Sequence, residues 1–209
     1  PLLYDCFKEY GLHIGYEAFH DCFVAATEST AALRQSGEEI SSSIRFVRFL
    51  DLLQIAPSGQ RDALHNRLMK THLDQVANCL DCPDENKALL TALKQQYPLG
   101  LVTNFDDTET VYTVLNREGV RGLFDTILIS AEFGLRKPRK EIFLAACESL
   151  AIHPNQALFI GDSMTSDVAG ANGVGMDTAW INPDSVMLSE ESPRPNYILS
   201  HICKLMSVL

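Results

Sequence analysis

Residues 157–167 read Ala-Leu-Phe-Ile-Gly161-Asp162-Ser-Met-Thr-Ser-Asp167 (ALFIGDSMTSD). An apolar run with no polar alternation predicts a short strand covered on both faces. It ends in Gly161-Asp162, and a second acid, Asp167, follows in the first turn of an expected helix. Upstream stand two more such runs, Leu99–Thr103 (LGLVT) and Thr126–Ser130 (TILIS). Downstream come Met176–Ile181 (MDTAWI) and a last short strand at Tyr197–Leu199. Helical patterns separate them over Asp84–Tyr97, Asp107–Glu118, Arg139–Leu150 and Thr165–Ala171, and a final helix is expected from His201. Strands alternating with helices predict right-handed β-α-β units. The expected fold class is α/β, a three-layer Rossmann-like parallel sheet.

Before Pro83 the pattern differs. Leu2, Leu3, Cys6, Phe7 and Tyr10 recur at helical spacing. Helical stretches follow over Glu17–Leu33, Ser41–Ile55 and Arg61–Leu80. The expected organisation is therefore an α-helical domain over 1–82 and the sheet domain over 83–209.

Composition limits what such a chain does. It has 209 residues, 46% hydrophobic and 21% charged, which is a globular composition. Seventeen basic against 27 acidic residues leave a net charge of −10, and no Lys/Arg stripe offsets it, so a nucleic-acid partner is not expected. No apolar run approaches the roughly 20 residues of a membrane helix, and no charged segment with an apolar run opens the sequence, so no signal peptide is expected. Six irregularly spaced cysteines do not make a disulfide scaffold, so the expected compartment is the reducing cytoplasm. Oligomeric state is not legible.

In open parallel sheets the site lies beyond the carboxyl ends of the strands. There stand Thr103 and Asn104, a hydroxyl and an amide suited to cradling an anion. Each is also a ready helix cap. Next comes Lys137, held before Pro138 in a loop from which a point charge can reach a cleft. Last come Asp162 and Asp167, hard oxygen donors of the kind Mg²⁺ takes.

In that order, these residues resemble the motifs of the haloacid dehalogenase-like hydrolase superfamily. Thr103 falls on its second motif, Lys137 on its third, and Asp162 with Asp167 on its fourth. The similarity covers about residues 84–209, and the helical segment looks like the family's small inserted cap. The resemblance implies phosphoryl transfer through an aspartyl-phosphate, with Thr103, Asn104 and Lys137 as catalytic residues, Asp162 and Asp167 as metal ligands, and Mg²⁺ as cofactor. The implied partner is a small phosphorylated substrate, and the implied reaction is its hydrolysis by a phosphatase with a small helical cap.

The family's first motif, DxDxT, is absent. The one early candidate, Asp5, is followed two residues later by Phe7 and lies in a helical pattern. In the family the strand bearing the nucleophile lies between those ending at Thr103 and at Gly161. Without it two buried strand edges would be unpaired, at about 1–3 kcal/mol per backbone group. The expectation is therefore that roughly 10–25 residues, a strand and its loop, precede Pro1 and carry the nucleophile. The alternatives are a 2-haloacid dehalogenase-type hydrolase, or a non-catalytic binding protein on the same scaffold. The Cys79–Cys82 pair, with His65 and His72, is read as neither a zinc site nor a redox pair, and Asp106 and Asp107 are read as helix caps.

Overall fold

The computed structural model describes residues 2–209; Pro1, where the expected helical segment begins, lies outside the described residues. The chain forms two compact units. One runs to Asp81 and takes in Asp106–Val114; the other comprises Cys82–Phe105 and Leu115–Leu209.

The first unit contains α1 (Leu2–Glu9), α2 (Tyr16–Leu33), α3 (Ser42–Leu52) and α4 (Gly59–Cys79). Apolar residues at helical spacing bring Phe7, Phe19, Phe46, Phe49, Leu50, Leu64 and Leu68 into one buried cluster. Its rings meet edge to face, with Phe19 and Phe49 centroids 5.2 Å apart and Phe7 and Phe19 5.6 Å. Ser41 accepts from the Ser43 N–H and Ser58 from the Arg61 N–H, capping α3 and α4. Asp5 lies within α1 and pairs with Lys8 at 2.8 Å.

His65 and His72 are engaged inside this unit. His65 Nε2 lies 3.1 Å from Ser43 Oγ, and His72 Nε2 lies 2.7 Å from an Arg45 nitrogen. Arg45 in turn stacks over Phe23 and Phe46, 5.6 and 5.1 Å from their centroids. Burial first, and then the charge of Arg45, push His72 down to about 4; Asp106 works weakly the other way. Folded His72 is thus neutral where the unfolded chain, with an ordinary value of 6.5, gains a proton. The unfolded state binds more protons between those values, so stability falls as pH drops through them. Between pH 7 and 4.5 we expect about 1–2 kcal/mol of this loss, after discounting for the ring's partial exposure. His72→Gln should flatten that acid limb in urea titrations at the two pH values.

In the second unit the elements follow as α5 (Asp84–Lys94), β1 (Gly100–Thr103), α6 (Thr108–Arg117), β2 (Thr126–Ile129), α7 (Ser130–Phe133) and α8 (Lys140–Ser149). Then come β3 (Leu158–Gly161), a π-helical turn (Met164–Val168), α9 (Ala169–Asn172), β4 (Asp177–Ile181), β5 (Tyr197–Leu199) and a 3₁₀ turn (Ile202–Ser207). The first part of α6 belongs to the helical unit. All strand pairs are parallel, but they form two sheets. One is β1-β2, with Thr103 opposite Ile129; the other is β3-β4-β5, with Gly161 opposite Trp180.

Side chains of β3 alternate between the faces. Leu158 and Ile160 join the cluster of Leu89, Leu93 and Leu205 from α5 and the 3₁₀ turn. Ala157 and Phe159 join Ile142, Phe143 and Ala171 from α8 and α9, together with Val102 of β1 and Leu128 of β2. One helical layer therefore backs both sheets. Among the described residues no strand lies between β1 and β3, so each keeps one edge open.

Two expected helices take other forms. The stretch from Thr165 to Ala171 is a π-helical turn followed by α9, because the Val168 N–H donates back to the Ser163 carbonyl over five residues. The segment from His201 is a 3₁₀ turn, with His201 Nδ1 accepting from the Cys203 N–H.

Candidate active site

Residues just beyond the carboxyl ends of β1 and β3 build the site. Thr103 closes β1. Asn104, expected as half of an anion cradle, has its amide turned instead onto the backbone of Lys137. Its Nδ2 donates to the Lys137 carbonyl at 2.9 Å, and its Oδ1 accepts from the Lys137 N–H at 2.7 Å. A primary amide matches one residue's N–H and C=O, so Asn104 ties the end of β1 to the Lys137 backbone. Asn104→Ala removes both bonds and should cost about 1–2 kcal/mol, read as a lowered urea midpoint, while leaving the Lys137 side chain chemically intact.

The Lys137 ammonium donates to the Val102 carbonyl at 2.8 Å and lies 2.9 Å from Asp167 Oδ1. It also stands 5.4 Å from the Phe159 ring centroid, over β3. Lys137 thus spans from β1 to the segment after β3. Asp167 is buried and Lys137 nearly so, their side chains 6% and 12% exposed.

Asp167 reaches this position through the π-helical turn. The extra residue in the turn carries its carboxylate back toward the strand end, where Oδ2 accepts from the Ser163 N–H at 3.0 Å. Ser163 Oγ accepts from the Ser166 N–H and caps the turn. The carboxylate lies directly against Gly161: a Cβ there would sit 2.5 Å from Asp167 Cβ and overlap the carboxylate itself. Glycine is required at this strand end by that close approach. Asp167 Oδ1, though paired in charge with Lys137, is a buried oxygen without a hydrogen bond of acceptable angle.

Asp162 is exposed, and its carboxylate has no hydrogen-bond or ion-pair partner among the described residues. Its backbone carbonyl accepts from Trp180 Nε1 at 2.9 Å, which holds the strand end against β4. Lys137, Asp167 and Gly161 are therefore gathered at one place, with Asn104 fixing Lys137. The Ser163 N–H and the Trp180 indole were not anticipated as parts of it. Ser163 could have been read as a capping serine before the turn, whereas nothing in the sequence pointed Trp180 at Asp162.

The two acids after β1 part company. Asp107 accepts from the Thr110 N–H at 2.8 Å and caps α6 as expected. Asp106 does not cap that helix. It accepts from the N–H and hydroxyl of Ser42 at the start of α3, and from Arg34 at 3.1 Å. The unsatisfied N–H groups of a helix start, with a guanidinium beside them, compete more strongly for a carboxylate.

With this geometry in place, the chain can be set beside known proteins. A family model described as haloacid dehalogenase-like hydrolase matches residues 17–181. N-acylneuraminate-9-phosphatase of Mus musculus is 32% identical over 127 residues, which are 60% of this chain and 51% of that protein. Pyrimidine 5'-nucleotidase YjjG of Escherichia coli (strain K12) is 30% identical over 182 residues, 84% of this chain and 76% of that one. The chain spans about half the length of the N-acylneuraminate-9-phosphatases it matches. Among solved structures, the HAD-hydrolase YfnB of Bacillus subtilis, bound to magnesium, superposes with a TM-score of 0.72 at 24% identity, covering 100% of this chain and 90% of that one. A 2-haloacid dehalogenase from Pseudomonas syringae pv. Tomato gives 0.75 at 20% identity, covering 99% and 87%. At these identities the two structures show the shared fold alone.

Proposed function

Because this chain belongs to the haloacid dehalogenase-like hydrolases, we propose that its site serves a Mg²⁺-dependent phosphatase acting on a small phosphorylated metabolite through an aspartyl-phosphate. The observation that carries the reading is the buried Lys137–Asp167 pair, set between two open strand edges at the carboxyl ends of β1 and β3. An ammonium there neutralises a phosphoryl group, and the Thr103 hydroxyl offers one of its oxygens a donor. The nucleophilic aspartate would enter on a strand seated between β1 and β3. Its carboxylate oxygen would attack phosphorus as the bond to the leaving oxygen breaks, and water would then hydrolyse the acyl-phosphate. Relatives named as a phosphatase and as a nucleotidase support a phosphomonoester as substrate.

The donor set fits a hard divalent cation. Asp162 presents a free carboxylate at the strand end, and Asp167 Oδ1 is a buried carboxylate oxygen whose close partner is the Lys137 ammonium. Asp162 and Asp167 would hold Mg²⁺, which when bound supplies positive charge to a phosphoryl oxygen. The helical unit is proposed as the cap that excludes water from the reaction. Soluble, cytoplasmic residence is likewise proposed; no helix among the described residues is long and apolar enough to cross a membrane.

The test is phosphate release by the full-length protein from a panel of phosphorylated metabolites. Release in Mg²⁺ that disappears in EDTA is expected. Halide release from a 2-haloacid persisting in EDTA would instead establish the dehalogenase reading. No turnover of either substrate class would favour a binding protein.

A further inference from the structure

We propose that Glu85, His201 and Cys203 form a binding site for a thiophilic divalent cation of the zinc class, separate from the acid pair beyond β3. One donor atom from each residue lies within 4.8 Å of the other two. The residues come from two elements: Glu85 from the first turn of α5, and His201 and Cys203 from the segment after β5. Packing holds these elements together, since Leu89 and Leu93 of α5 share a buried cluster with Leu205 of the 3₁₀ turn. β5 is the outermost strand of its sheet, two ladder steps from β3, so the site is separate from the strand end that carries Asp162.

The chemistry of the set selects the ion. A thiolate, an imidazole and a carboxylate suit Zn²⁺ or Co²⁺ and not Mg²⁺ or Ca²⁺, which take oxygen donors. Zinc–donor bonds of about 2.0–2.3 Å place tetrahedral donors roughly 3.3–3.8 Å apart, against a present spacing of up to 4.8 Å. Glu85 Oε1 already stands 3.7 Å from His201 Nε2. His201 Nδ1 accepts from the Cys203 N–H at 3.3 Å, so either ring nitrogen can turn to a cation by giving up one present contact. Three protein donors leave a fourth position for water. The Cys203 thiol now donates to Asn86 Oδ1 at 3.3 Å. Burial, and then the Glu85 charge, hold this thiol protonated above the ordinary cysteine range. On binding, the S–H proton leaves to solvent as the metal–sulfur bond forms, and the cation relieves the repulsion between thiolate and carboxylate. A bound cation would fasten the C-terminal turn to α5.

The test titrates the reduced full chain with Co²⁺. A thiolate-to-cobalt charge-transfer absorbance saturating at one equivalent, and displaced by Zn²⁺, is expected. Cys203→Ser should abolish the band, and His201→Gln and Glu85→Gln should each weaken Co²⁺ binding about tenfold or more. Zn²⁺ should also raise the melting temperature of the parent chain but not of Cys203→Ser. Asp162→Asn should leave the band untouched, which keeps the outcome independent of the phosphatase reading. A band surviving Cys203→Ser, or no band in the parent chain, overturns the proposal. If Cys203→Ser does not fold, unchanged affinity in Glu85→Gln and His201→Gln overturns it as well.

Discussion

Lys137→Met should lower the unfolding free energy by about 3–5 kcal/mol, because it strands a buried carboxylate without its counter-charge. The Asp167 side chain is 6% exposed, and its remaining close partner is the Ser163 N–H. Methionine preserves the aliphatic stem that lies over Phe159 and deletes only the charge. The loss should appear as a lower urea midpoint with an unchanged slope. Asp167→Asn in the same background removes the orphaned charge, so the double variant should regain at least half of the deficit. In the full-length protein, phosphate release by Lys137→Met should fall about 10³-fold, since the substitution deletes the ammonium at the proposed phosphoryl position. A stability change under about 1 kcal/mol would mean that the pair behaves as an exposed one, and the site as drawn would be wrong.

Gly161→Ala should be the second severe change, and for a steric reason. The new methyl would stand 2.5 Å from Asp167 Cβ and overlap the carboxylate, a contact that cannot be relieved by a flexible chain end. The residue is short and its carboxylate is held on one side by Ser163 and on the other by Lys137. Overpacking of this kind costs about 1–3 kcal/mol. Displacing Asp167 by about 1 Å should also lower kcat/KM about 10²-fold in the full-length protein. Mg²⁺ titrations of activity should show a higher half-saturating concentration, because the displaced oxygen is one of the two proposed donors. Alanine accepted there with normal Mg²⁺ dependence would remove Asp167 from the cation's proposed ligands.

Much of this was legible before any coordinates. Apolar runs at 99–103, 126–130 and 157–160, each followed by a polar residue at a strand end, specify parallel strands and locate the rim where chemistry collects. The absence of a first-motif aspartate, with Asp5 in a helical pattern, led to the expectation of a strand and nucleophile preceding Pro1; among the described residues β1 and β3 lie in separate sheets. The functional weight of Asn104 was not legible. A side-chain amide after a strand reads as a cap or an anion donor, and only a chain segment 33 residues away decides otherwise. Asp106 and Asp107 are adjacent acids with equal local prospects, yet one caps α6 and the other binds the start of α3. The π-helical turn was also hidden, because a single extra residue in a turn leaves no periodic trace over five positions.

Hydrophobic period and punctuation, which are properties of neighbouring residues, determined by themselves that this chain would form a helical segment followed by parallel strands with polar residues at their carboxyl ends. The ion pair across β1 and β3, the glycine demanded by a carboxylate, and the meeting of Glu85 with His201 and Cys203 were decided only by tertiary structure. Each depends on residues far apart in the chain being brought within a few ångströms, and burial and charge at that range follow from packing that no local pattern encodes.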